Sequence, residues 1–192
     1  MLEIFLFFLE LGTRHVLDSN GLDHFYFFII IALSFTFDKW LKLLKWVTLF
    51  TLGHCLSLFI NYYFKLSVDY YWIEILIPLT IVYSCVVIFL KKYRNWKQNI
   101  FKYFSLVTFL FGLIHGMGFG RYFSLIVQED SSLISLLGFA FGIEFAQLTI
   151  VSAVLIFNAL IIKFFNNKFK IWTYAGSFLI LILSLKMVFE RL

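Results

Sequence analysis

Charge is scarce in this sequence. Only 14% of the 192 residues are Asp, Glu, Lys or Arg, against roughly 25% in an ordinary soluble domain. Proline occurs once, at Pro78, and cysteine twice, at Cys55 and Cys85, both inside apolar runs. Two such cysteines supply no disulfide framework. What replaces charge is apolar: 62% of residues are hydrophobic and 27 are Phe, with a mean hydropathy of +0.92. A soluble fold of this length cannot hide so much apolar surface, because much of its area must face water. The composition excludes a soluble globular domain and a disordered chain. It leaves an all-α, polytopic membrane helix bundle, read as a single transmembrane domain over residues 1–192. At about 20 residues per span, the length allows roughly six or seven crossings.

The apolar runs are 1–17, 22–37, 44–64, 72–90, 101–127, 133–162 and 171–189. The expectation is therefore about seven transmembrane helices, or six if residues 1–17 do not span. That first run carries Glu3, Glu10 and Arg14. None of the runs alternates apolar with polar residues, as a membrane barrel would. The N-terminus lacks a basic region and a small-residue cleavage site, so it does not read as a removable signal peptide.

The net charge of +5 is not spread as a nucleic-acid footprint. Most basic residues fall in alternate short loops: Lys39, Lys42 and Lys45; Lys91, Lys92, Arg94, Lys97 and Lys102; Lys163, Lys168 and Lys170. Those loops should face the cytoplasm. The other loops hold Asp18, Lys65, Asp69, Glu129 and Asp130. Seven spans put the N-terminus inside and the C-terminus outside. A first run that only lies at the interface puts the N-terminus outside and leaves the later spans unchanged.

Ionisable groups inside a span cost roughly 2.5–3.5 kcal/mol each on insertion scales, so their positions carry information. All four histidines, His15, His24, His54 and His115, fall in or at the end of an apolar run. Glu144 lies inside the sixth run and Glu74 near the start of the fourth. At about 1.5 Å per helical residue, His54, His115 and Glu144 are each roughly 15–18 Å below the outer surface, near the midplane. His15, Asp23, His24 and Glu74 belong to the outer ends of their runs. A single intramembrane histidine more often bonds a neighbouring helix than a metal. Four in one half of the membrane, with acids beside them, point to a shared site. Imidazole and carboxylate are the ligands that borderline divalent metals take.

Several neighbours add to this pattern. Gly53 precedes His54, and Gly112, Gly116, Gly118 and Gly120 surround His115. Glycines let helices approach closely or let one unwind around an ion; for the glycines alone, close packing is the favoured reading. FTLGHCLSLF (50–59) faintly echoes FGLIHGMGFG (111–120). Pro78 removes the donor that would bond the carbonyl of residue 74, so a free carbonyl and the Glu74 carboxylate are expected at one cavity. Arg121 is expected to snorkel outward or pair with Glu74 or Glu144. Gln147, three residues after Glu144, is expected to orient that carboxylate.

The residues also carry a resemblance. GTRHVLDSNGLDHFYF (12–27), FTLGHCLSL (50–58), FGLIHGMGFG (111–120) and FGIEFAQL (141–148) are similar, in content and order, to motifs of the HupE/UreJ membrane proteins. WIEILIPLTIVY, with Glu74 and Pro78, resembles the acidic stretch of that family's middle span. The resemblance implies a nickel or cobalt permease in the bacterial inner (cytoplasmic) membrane. It implies that His15, Asp23, His24, His54, Glu74, His115 and Glu144 form the metal pathway. The stretch between His15 and the Asp23–His24 pair is longer than the family's usual spacing, so those two histidines are not expected to keep the family's geometry.

The reading is a permease for a divalent transition metal ion (nickel, cobalt or zinc), entering from the outer side and reaching a midplane site of His54, His115 and Glu144. Bound metal needs neutral imidazoles, so uptake is expected to weaken at low pH. The expected partners are membrane lipid and the metal ion, with a homo-oligomer left open and no nucleic acid. Two alternatives stand beside it. One is an intramembrane zinc enzyme, which needs three protein ligands and an open position. The other is haem bound by midplane histidines.

Overall fold

The computed structural model describes residues 1–18, 22–65, 69–90, 99–165 and 168–192, the side chains of 99–102 excepted. The loop lysines and arginine at Lys91, Lys92, Arg94 and Lys97 lie outside the described residues. Within them the chain is all-α, with seven α-helices: α1 (Leu2–Leu17), α2 (Asp23–Leu33), α3 (Trp40–Phe64), α4 (Tyr70–Leu90), α5 (Asn99–Ile126), α6 (Ser132–Phe165) and α7 (Phe169–Glu190). In hydrocarbon every backbone polar group must be bonded inside its own segment, which long apolar runs achieve only as helices. Five segments are long and apolar enough to cross a membrane: Phe37–Phe64, Tyr70–Leu90, Tyr103–Ile126, Glu129–Phe165 and Phe169–Glu190. This is a polytopic membrane helix bundle. Large apolar side chains such as Leu137, Phe141, Phe145 and Phe189 face outward, while His24, His54, His115 and Gln147 are buried.

Two helix pairs touch main chain to main chain. A Cβ on Gly53 of α3 would overlap the carbonyl oxygen of Phe109, and one on Gly112 of α5 would overlap that of Phe50. Likewise Gly12 of α1 faces the carbonyl of Phe139, and Gly142 of α6 that of Leu9. The glycines around His54 and His115 therefore serve close packing, and α3 and α5 stay helical through both histidines. The two stretches that echo each other, 50–59 and 111–120, lie on these two packed helices.

The directions of the first two helices set the fold apart from a seven-span alternation. The carbonyl of Phe5 faces Gly138 and that of Leu9 faces Gly142, so α1 and α6 run the same way. Along α2 and α3 the ring pairs are His24–His54, Phe28–Phe50 and Phe35–Trp46, so these two are antiparallel. Tyr63 bonds Ser132 at 3.2 Å and Thr51 lies 2.9 Å from Gln147, so α3 and α6 are antiparallel. Hence α1 and α2 point in the same direction, one after the other. Their 16 and 11 residues give lengths of about 24 and 17 Å. The interruption foreseen as one option at the glycines is not found there; α1 ends at Leu17 and α2 begins at Asp23.

Contacts at the two ends confirm this order. Glu3, Ile4 and Phe7 share a cavity with Ile126, Gln128 and Ser131, at the end of the bundle that carries the α5–α6 turn. At the opposite end Asn158 donates to the carbonyls of Ala32 (3.0 Å) and Phe35 (2.9 Å), and Thr173 to that of Leu33 (3.1 Å). The Leu33 carbonyl ends α2, where a helix leaves acceptors without an intrahelical donor, and that of Ala32 accepts from the Phe35 N–H as well. Trp172 Nε1 donates in turn to Asn158 Oδ1 at 2.9 Å. Lys39, Lys42 and Lys45 start α3 at this second end, and Lys163, Lys168 and Lys170 flank the α6–α7 junction there.

Candidate metal centre

The junction of α1 and α2 meets the middle of α3 and α5, and there the histidines converge. Ring centroids are 4.8 Å apart for His15–His24, 5.6 Å for His15–His54, 5.5 Å for His24–His54 and 5.1 Å for His24–His115. One ring nitrogen from each of His15, His24 and His54 lies within 4.8 Å of the other two. A metal held at about 2.0–2.1 Å by each nitrogen would need them closer, at roughly 3.4 Å. The longer stretch between His15 and His24 does not keep their rings apart.

Hydrogen bonds fix which nitrogen is left over. Asp23 Oδ1 accepts from the Nδ1–H of His24 at 3.0 Å and from its backbone N–H at 2.8 Å. The carbonyl of Phe111 accepts from the Nδ1–H of His115 at 2.8 Å. A carboxylate and a carbonyl can only accept, so both rings carry their proton on Nδ1 and a lone pair on Nε2. The Nε2 atoms of His15, His24, His54 and His115 are all buried without a partner, as is His54 Nδ1. Buried polar atoms are almost always bonded. Four such nitrogens in adjoining rings are the arrangement a cation satisfies, and orientation of ligating imidazoles by carboxylate or carbonyl is the usual support. The last turn of α1 and the first turn of α2 both meet this place, so the negative end of one helix dipole and the positive end of the other lie beside it.

Aromatic rings wall the cluster. Phe119 and Phe139 stack with centroids 5.1 Å apart and planes 3° from parallel, and Phe119 lies 4.2 Å from His15. Phe50 lies 5.0 Å from His115 and 5.6 Å from His24. Among the described residues, two cavities reach the histidines. One, of about 670 Å³, is lined by Thr13, Arg14, His15, Asp18, Phe119 and Tyr122. The other, of about 230 Å³, is lined among others by His15, Asp23, His24, Glu74, His115 and Arg191. His15 and Phe119 border both.

The chain matches the HupE / UreJ protein family profile over residues 1–191. It belongs to the HupE/UreJ family. No curated protein and no solved structure matches it. The family and the buried histidine cluster together describe a metal-binding type of integral membrane protein.

In this HupE/UreJ protein the expected residues divide into two groups. His15, Asp23, His24, His54, His115 and Glu74 share one locality, with Glu74 at the cavity rim and its side chain exposed. Glu144 is elsewhere. Its carboxylate accepts from Thr48 at 2.7 Å and from Thr51, about one α3 turn from His54 toward the lysine-rich end. Gln147 also meets Thr51, at 2.9 Å, so the threonine links amide and carboxylate. Arg121 is exposed. The arginine at the site is Arg191, whose Nη1 donates to the Glu74 carbonyl at 2.9 Å and whose Nη2 lies 3.6 Å from Asp23 Oδ2. Sequence reasoning missed Arg191, Thr48, Thr51 and the Phe119–Phe139 stack. Pro78 signalled an open carbonyl at residue 74, but nothing in the spacing named its partner.

Proposed function

We propose that this protein carries a divalent transition-metal ion such as nickel or cobalt through the membrane, with His15, His24 and His54 as ligands and His115 beside them. The observation that carries the reading is the group of four buried Nε2 atoms without partners, two with their tautomers set by Asp23 and the Phe111 carbonyl. Imidazole suits nickel, cobalt and zinc alike, and family membership favours the first two. Glu74 and Asp18, at the rims of the two cavities, draw the cation in. Glu144, with Thr48 and Thr51, forms the next polar station toward the lysine-rich end. Helices α1 and α2 together make one interrupted crossing, so the chain crosses six times and both termini lie on the outer side. Half-helices meeting at an ion site recur in membrane transporters.

The test is uptake into vesicles containing the purified protein. Ni²⁺ or Co²⁺ should accumulate with wild type and not with His54→Ala or His24→Ala. Absence of flux for Ni²⁺, Co²⁺ and Zn²⁺ from folded wild type rejects the permease. Three imidazoles beside a cavity also suit a catalytic zinc. A stoichiometric zinc that stays bound while no metal crosses would favour that second reading.

A further inference from the structure

Arg191 puts a fixed positive charge into a cavity otherwise suited to cations. It follows the last turn of α7, and its side chain enters the cavity of about 230 Å³ beside Asp23, His24 and His115. Nη1 donates to the Glu74 carbonyl at 2.9 Å and Nη2 pairs with Asp23 Oδ2 at 3.6 Å. The other oxygen of that carboxylate, Oδ1, is the one that accepts from His24. Both oxygens of Asp23 are thus engaged. We propose that Arg191 is a positioning residue of the metal site: it holds Asp23 as the partner that orients His24 and keeps this carboxylate from becoming a ligand itself. The inference rests on the reading that the histidines take a divalent metal.

Two physical points support it. The guanidinium is anchored twice, and one anchor exists only because Pro78 has no N–H to offer the Glu74 carbonyl. Two fixed contacts from one planar group hold a direction that a single flexible ion pair does not. The pair is also withdrawn from water, with side-chain exposures of 22% for Arg191 and 13% for Asp23, so screening is weak. Without Arg191, Asp23 carries an unpaired negative charge beside a dication, and a carboxylate in that position swings in to bind it.

The experiment is a Co²⁺ titration of the purified full chain in detergent, followed by visible absorption, which reports the number and kind of ligands. Arg191→Ala should shift the bound-cobalt spectrum and weaken binding about tenfold, the usual cost of losing an orienting partner. Adding Asp23→Asn to Arg191→Ala should give the spectrum of Asp23→Asn alone, because an amide is a poor ligand and Arg191 then has no carboxylate to restrain. A spectrum and affinity identical to wild type in Arg191→Ala overturns the proposal, as does a double variant whose spectrum still differs from Asp23→Asn by the shift that Arg191→Ala causes. If Arg191→Ala does not fold, Arg191→Lys is read in its place. It keeps the charge and loses one of the two contacts, so a smaller shift in the same sense supports the proposal and none overturns it. Wild type that binds no cobalt removes the metal reading and this inference together, whereas wild type that binds it leaves Arg191 to be judged alone.

Discussion

The carbonyl that accepts from Arg191 is the one that Pro78, four residues further along α4, leaves without a helical donor. Glu74 O and Arg191 Nη1 are 2.9 Å apart, and the helix runs unbroken from Tyr70 to Leu90 around the proline. Pro78→Ala supplies an N–H that competes for this oxygen. Alanine favours a helix interior over proline by about 3 kcal/mol, so α4 should hold at least as well. The bound-cobalt spectrum should nonetheless move in the direction of Arg191→Ala, by less. An unchanged spectrum would mean that the backbone anchor is dispensable.

Tags or single cysteines at Met1 and Leu192 should react from the same side of the membrane, and a cysteine at Lys42 from the other. That follows from α1 and α2 running in one direction, with Glu3 near Ser131 and Arg191 near Asp23. Labelling with a membrane-impermeant thiol reagent, in a background lacking Cys55 and Cys85, checks it. Termini on opposite sides would restore seven alternating spans.

The glycines at the main-chain crossings should be intolerant, and a nearby one should not. Gly112→Ala places a methyl against the Phe50 carbonyl, an overpacking that costs about 1–3 kcal/mol, toward the upper end where backbone must move. A Cβ on Gly118 meets side chains alone, Ile77 Cδ1 at 3.0 Å, the end of a flexible chain, and Ile73 Cγ2 at an ordinary 3.7 Å. Thermal unfolding in detergent should separate the two, with Gly118→Ala near wild type.

Asn158 holds the far end of α2. Asn158→Ala leaves the carbonyl of Phe35 without its side-chain donor and Trp172 Nε1 without its acceptor, while the Ala32 carbonyl keeps the bond from the Phe35 N–H. Buried orphan groups cost about 1–3 kcal/mol each. Asn158→Asp should be worse, since a carboxylate turns an acceptor toward both carbonyls. Unfolding temperatures should fall in the order wild type, Ala, Asp.

Glu144→Gln should leave cobalt binding at the histidines at wild-type stoichiometry, because Thr48 and Thr51 hold that carboxylate away from them. It should slow uptake if the residue is the next station for the ion. Loss of the bound cobalt would return Glu144 to the histidine site.

Much of this was legible in the sequence, and the reasons differ by residue. His54 and His115 stood out because a polar ring in an apolar run needs a partner, and depth counting put both at one level. That argument works for straight spans. It put Glu144 at their level, whereas the carboxylate accepts from Thr48 and Thr51, about a turn or more along α3 from His54 toward the lysine-rich end: the count follows the backbone, and the side chain reaches away from it. The shared direction of α1 and α2 was not legible, because a break between two short apolar runs looks the same whether the chain turns back or continues. The successive pairings along α1 with α6, α2 with α3 and α3 with α6 separate those cases. Arg191 was invisible for a related reason: its partners are 117 residues or more away along the chain, and no local pattern reaches that far.

The glycine crossings have a mechanical corollary. Helices whose backbones abut, α1 with α6 and α3 with α5, cannot slide past or tilt away from each other without breaking many contacts at once. Each couple behaves as one stiff plank, and the plane between the planks is where the bundle yields. His15 rides on one plank, His54 and His115 on the other. Phe119 and Phe139 are stacked across the division, so separating the planks would part that stack and pull the imidazoles from one another in the same movement.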